Sequence, residues 1–144
     1  MRNTASDGAT TVTIDWMMLC ESAFFDETGR LCMIGIARHF PVPSMPLLLN
    51  QHTMVAHLAT GRLSDGASLS FKVRTPSECW ITPTESEAVT VKATEEYILI
   101  TVRSLPFREE GLYRFDVSVD GDSLASVEIP VWLVPPQWSL LDVH

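Results

Sequence analysis

The stretch Gly111-Leu112-Tyr113-Arg114-Phe115-Asp116-Val117-Ser118-Val119-Asp120-Gly121-Asp122 constrains this chain more than any other. Tyr113, Phe115, Val117 and Val119 share one parity; Arg114, Asp116, Ser118 and Asp120 share the other. Successive strand side chains point to opposite faces, so the pattern specifies a strand with one dry face and one wet face. It runs into Asp120-Gly121, a hairpin signal, because glycine accepts the positive φ that tight hairpin turns demand. Tyr113, just after Glu110-Gly111, stands where a buried phenol bonds back to a backbone group a few residues upstream, the arrangement called a tyrosine corner.

The same alternation recurs along the chain. A first strand begins near Val12 and runs through Ile14, Trp16 and Met18 towards Cys20, and a turn at Asp26-Glu27-Thr28-Gly29 leads to a second from Arg30 to about Arg38. Pro41, Pro43 and Pro46 forbid regular pairing and read as an extended crossover between sheets. A third strand near Thr53 to Thr60 turns Met54, Ala56 and Leu58 inward and His57 outward. After an Asp65-Gly66 turn, Leu69, Phe71 and Val73 alternate with Ser70, Lys72 and Arg74. Pro76 and Pro83 bracket an irregular stretch; Val89, Val91 and Ala93, then Ile98, Ile100 and Val102, mark two further strands. Val127, Ile129, Val131 and Leu133 share the inner face of the last strand, in which Pro130 implies an edge or a bulge. No window carries a helical stripe. The expected fold is all-β: a two-layer antiparallel β-sandwich of about eight strands, immunoglobulin- or fibronectin-III-like. The expected organisation is a disordered or frayed leader at 1–11, one domain at 12–134, and a tail at 135–144 packing on the domain or on a partner.

Composition narrows the function classes. Of 144 residues 46% are hydrophobic and 19% charged, which excludes wholesale disorder. The net charge of −8, with the Lys and Arg residues scattered, argues against nucleic acid and anionic membranes, whose binders need clustered cations. No run approaches the roughly 18 consecutive apolar residues of a membrane helix, and Met1 to Gly8 lacks the apolar core of a secretory signal. Cys20, Cys32 and Cys79 are an odd number at unrelated spacings; they read as reduced, mostly buried thiols of a cytoplasmic protein.

Reactive constellations are not legible. His52 and His57 are five apart and face opposite sides of a strand, and His39 and His144 lack partners at ligand spacing, so no metal or cofactor is expected. Asp120-Gly121-Asp122 is similar to a piece of a calcium loop, but a hairpin turn accounts for it. There is no Gly-x-Ser-x-Gly elbow and no His-Glu-x-x-His. Cys79 is expected to pack at the boundary under Trp80, and the doublets Glu95-Glu96 and Glu109-Glu110 to be solvated turn acids. A non-enzymatic protein is therefore the expectation.

Aromatic residues supply the candidate surface. Trp132 has the opposite parity to Val131 and Leu133 and so points away from the core; Trp138 follows Pro135-Pro136 in a tail with Leu140 and Leu141. Trp80, Trp132 and Trp138 are accordingly the candidate partner or ligand surface, since exposed aromatics mark hot spots. Two alternatives stand beside it: the tail folds back over Trp132, or the indoles form a sugar-stacking platform. The first two strands are apolar on both parities, at Trp16, Met17, Met18 and Leu19 and at Leu31, Cys32, Met33, Ile34 and Ile36. A strand dry on both faces needs a cover on each. The candidates are a terminal tail or another subunit, and self-association through that sheet is expected.

Three groups of residues carry a resemblance: Cys20-Glu21-Ser22-Ala23 with Gly29-Arg30-Leu31-Cys32-Met33-Ile34-Gly35; Pro41-Val42-Pro43 leading into Met54-Val55-Ala56-His57-Leu58; and Leu105-Pro106-Phe107 with Gly111-Leu112-Tyr113-Arg114-Phe115 and Val119-Asp120-Gly121. Together they resemble an uncharacterised family of small bacterial and phage proteins, a domain of unknown function, across most of residues 12–134. The resemblance implies an immunoglobulin-like sandwich and carries over no catalytic or binding residue. The expected function is a protein-interaction or structural module, self-association included; the alternative is a small-ligand or carbohydrate-binding module.

Overall fold

Alternating side chains do build strands here, and no helix occurs among the described residues. The computed structural model describes residues 12–61, 68–81 and 89–134; the leader 1–11, the Asp65-Gly66 turn, Pro83, and the tail with Trp138 and His144 lie outside them. In chain order the strands are β1 (Thr13–Phe25), β2 (Leu31–Ala37), β3 (Phe40–Val42), β4 (Leu47–Leu49), β5 (His52–Thr60) and β6 (Leu69–Arg74). They continue as β7 (Trp80–Ile81), β8 (Val89–Ala93), β9 (Tyr97–Val102), β10 (Leu105–Phe107), β11 (Gly111–Val119) and β12 (Asp122–Leu133). Four of these twelve, β3, β4, β7 and β10, have only two or three residues, too short for a periodicity to register.

A first sheet runs β2-β1-β5-β9-β8, a second β3-β12-β11-β6-β7, and β4 pairs with β10 separately. One core joins them. Met17, Leu19, Met54, Leu58, Ile98 and Ile100 from the first sheet meet Phe71, Val73, Tyr113, Phe115, Val117 and Ile129 from the second, while Leu49, Leu105 and Phe107 from the β4–β10 pair join the same cluster. The β11–β12 hairpin turns on Asp120 and Gly121, both at positive φ (51° and 89°), as its two-residue turn requires. The Tyr113 hydroxyl donates to the Glu109 carbonyl at 2.8 Å and accepts from the Glu109 N–H at 3.3 Å, so the tyrosine corner is present.

The prolines behave differently from the sequence expectation. Pro41 lies inside β3, which pairs with the end of β12 in the one parallel match among the described residues. β3 is an edge strand, so the missing Pro41 N–H can face away from the ladder. The bulge in β12 falls at Leu124 rather than Pro130, where the register jumps between Val117↔Ala125 and Ser118↔Ser123. Pro130 is the last residue of β12 before β3 begins to pair, at Val131. Leu133, expected inward, is exposed at the strand's end.

The doubly apolar β1 and β2 are covered by the chain only in part: Trp16, Cys20, Leu31 and Met33 join a second cluster, while Met18, Ile34 and Ile36 stay exposed. Gly35 has a φ of +70°, and a Cβ there would stand 2.7 Å from the Glu21 side chain. Around this pivot the inward parity of β1 changes: Met17 and Leu19 face the main core, whereas Ala23 and Phe25 face a second cluster with Cys20, Val55 and Leu99. A straight strand would carry Phe25 nine residues, about 30 Å, from Trp16. Instead both rings lie within about 6 Å of Tyr97 (6.2 and 6.0 Å). The tip of the β1–β2 hairpin therefore bends back across the outer face of the first sheet, with Leu31 and Met33 joining Phe25 underneath.

Candidate functional site

Outward positions of the second sheet form a cross-strand row. Trp80 on β7 lies opposite Arg74 on β6, Arg74 opposite Arg114 on β11, and Arg114 opposite Glu128 on β12. Their inward neighbours Val73, Tyr113, Phe115 and Ile129 are buried in the core, so strand alternation delivers all four side chains to the same outer surface. Lys72 Nζ stands 5.0 Å and Arg74 Cζ 5.8 Å from the Trp80 ring centroid, within cation–π range. Arg74 also pairs with Glu78. Arg114 forms no ion pair among the described residues, and its Nε is shut off from solvent without a hydrogen-bond partner. Arg74, Arg114, Glu78, Glu128 and Leu112 border one shallow depression.

Beyond that row lies an apolar strip. Leu112 pairs with Pro130, and Trp132 follows on the same parity; Leu112 is 53% and Trp132 39% exposed. The Trp132 ring stacks on His39 at 4.9 Å and 18°. Trp80 and Trp132 thus share one sheet face at opposite borders, and Trp138 lies outside the described residues. Each indole has neighbours against its ring, Lys72 and Arg74 at Trp80 and the His39 imidazole at Trp132.

The outer face of the first sheet holds a different row, Trp16–His57–Tyr97, set by direct pairings across β1, β5 and β9. Trp16 and His57 stack at 5.5 Å and 8°. Asp15 is the extra residue of a bulge between the Ile14↔Leu58 and Trp16↔His57 pairs, and the bulge re-aims its carboxylate to 2.7 Å from His57 Nδ1. An imidazole oriented by a carboxylate is half of a catalytic device, but no hydroxyl or thiol among the described residues bonds to this one. His52 lies elsewhere, its ring edge-on to Phe40. Among the described residues no three His, Cys, Asp or Glu side chains converge as a metal site would require.

Several expectations need correction. Only Cys20 is buried; Cys32 is half-buried and Cys79 is exposed beside Trp80 rather than packed under it. Cys79 sits in a tight loop closed by Thr75, whose N–H donates to the Cys79 carbonyl. The acids of the Glu109-Glu110 doublet are tied down rather than simply solvated: Glu109 accepts from the Ser77 hydroxyl at 2.6 Å and Glu110 from the Leu133 N–H at 2.8 Å. Sequence reasoning missed the Arg74–Arg114 adjacency, the His39–Trp132 stack and the Asp15–His57 pair. The first was implicit in two outward parities but needed the strand order; the others had no local signal.

Residues 15–132 match the model of a family described as a family of unknown function (DUF6941). The chain belongs to that family. No curated protein matches the chain. Membership spans all twelve strands apart from the first residues of β1 and the last of β12, and it brings no activity with it.

Proposed function

We propose that this chain is an immunoglobulin-like β-sandwich acting as a non-enzymatic interaction module, and that it meets a protein partner with the outer face of its second sheet. Two sheets around one core, antiparallel except for the β3–β12 pair, and a tyrosine corner ahead of a hairpin support the fold assignment. The observation that carries the function is the Leu112–Pro130–Trp132 strip lying beside the Trp80–Arg74–Arg114 row. Exposed Trp and Arg next to apolar side chains is the composition of an interface centre. The oriented His57 has no nucleophile with it among the described residues, which favours binding over catalysis, and three unpaired thiols suit a reducing compartment such as the cytoplasm.

The test is photocrosslinking in the native host, with a benzophenone side chain placed at Leu112 on this face or at Phe24 on the back of the hairpin. A protein crosslinked from Leu112 and lost in a Trp132→Ala background is the expected result. Crosslinks from Phe24 alone would move the interface to the other side of the molecule and overturn the proposal.

A further inference from the structure

We infer that the partner met by this face is a second copy of the chain, related by a two-fold axis that runs along the strands midway between β11 and β12. The inference deepens the docking-surface reading and rests on it. Within the sheet Leu112 pairs with Pro130 and Arg114 with Glu128, and strand alternation turns all four outward. An axis between the two strands lays each β11 side chain on the β12 residue it pairs with, but in the other copy. Arg114 then meets the second copy's Glu128, and Glu128 the second copy's Arg114. Each Leu112 lies on the second copy's Pro130, beside its Trp132, so the exposed strip is covered by itself.

Charge selects both the occupant and the register. The chain carries a net charge of −8, so two copies repel in most orientations. This face is balanced, with Lys72, Arg74 and Arg114 set against Glu78, Asp116 and Glu128. Arg114 is half-buried and Glu128 exposed; both border the same depression, and neither has an ion pair among the described residues. An axis midway between β6 and β11 would lay Arg114 on Arg74, and one crossing the strands through this row would set Arg114 on itself. Both are repulsive, which leaves the β11–β12 axis as the complementary one. Across it β6, β11, β12 and β3 overlap. With the nine residues of β11 they span about 20 by 30 Å, about 600 Å² a copy. That lies at the lower edge of specific interfaces, so the association is weak.

Sedimentation of the full chain over a concentration series reads the association. Wild type should pass from monomer to dimer in the micromolar range. Arg114→Glu and Glu128→Arg should each weaken the dimer by about tenfold or more, because like charges then meet across the axis. An equal mixture of the two variants should regain wild-type association, since opposite charges face each other again between unlike copies. Within one chain either variant also sets like charges on paired strands, and mixing cannot repair that, so recovery separates a lost contact between copies from a disturbed sheet. Ile34→Ser, at an exposed site of β2, should leave the dimer unchanged. A monomer up to about 100 μM, no recovery on mixing, or a dimer lost with Ile34→Ser and kept by the charge variants would each overturn the inference. If the chain stays monomeric while Leu112 crosslinks a different protein, the second copy falls and the docking surface stands. Crosslinks from Phe24 alone would remove both.

Discussion

Tyr113→Phe isolates one hydroxyl in an otherwise unchanged core. The ring is fully buried and packs against Phe107 with centroids 4.8 Å apart, contacts that phenylalanine keeps. What disappears is the donor to the Glu109 carbonyl and the acceptor for its N–H. Stranding buried backbone groups costs about 1–3 kcal/mol. Glu109 is only half-buried, so water can partly re-satisfy it, and the lower part of that range, about 1–2 kcal/mol, applies. For a domain of this size that is a fall of about 3–8 °C in melting midpoint. Burial also raises the Tyr113 phenol above its ordinary value. The unfolded chain therefore releases this proton first: the phenol's contribution is intact below about pH 10 and is lost as the pH rises towards the raised native value. Calorimetry should show a deficit for Tyr113→Phe at neutral pH that narrows above about pH 10. Tyr97→Phe, on the outer face with no hydroxyl bond among the described residues, is the control and should melt like wild type. An unchanged midpoint for Tyr113→Phe would refute the corner as a stabilising device.

Other perturbations address separate parts of the molecule. Gly35→Ala forces an L side chain to a φ of +70° and should cost about 1–2 kcal/mol; hydrogen exchange should quicken at the amides of 21–25 and 31–34, while exchange spread evenly over both sheets would contradict a local pivot. Under native conditions a thiol reagent should label Cys79 first, Cys32 more slowly and Cys20 last, because Cys20 is buried and burial raises its thiol; early labelling of Cys20 would contradict the hairpin cover. Asp26 is held below the usual carboxylate range by hydrogen bonds from Thr28 and Arg30. Its contribution is present above its unfolded value and lost as the pH falls through the lowered native one, so the stability deficit of Asp26→Ala at neutral pH should vanish in acid melts.

What could be read in advance was what neighbours in sequence decide. The β11 alternation, the Asp120-Gly121 turn and the Tyr113 corner each involve residues within a few positions of one another, so their chemistry was on the page before any coordinates. The outward placement of Trp132 and His57 followed from parity alone. The doubly apolar character of β1 and β2 is legible in the sequence, but the change of inward parity beside Gly35 is not, because nothing in a linear pattern shows it. The Trp80–Arg74–Arg114–Glu128 row spans four strands whose order is non-sequential, so its members could be assigned a face but not neighbours. Asp15 reaches His57 only through a bulge, a single inserted residue that alternation counts as noise.

Cys20 sits in the cluster beneath the bent tip of the β1–β2 hairpin, with Val55 and Leu99. Its sulfur is thus a sentry for one hinge: oxidants and proteases alike must wait for the same hairpin to lift before they reach what it shelters. A cell that damaged or tagged this protein there would be acting on a door whose frame, the main core, can remain shut.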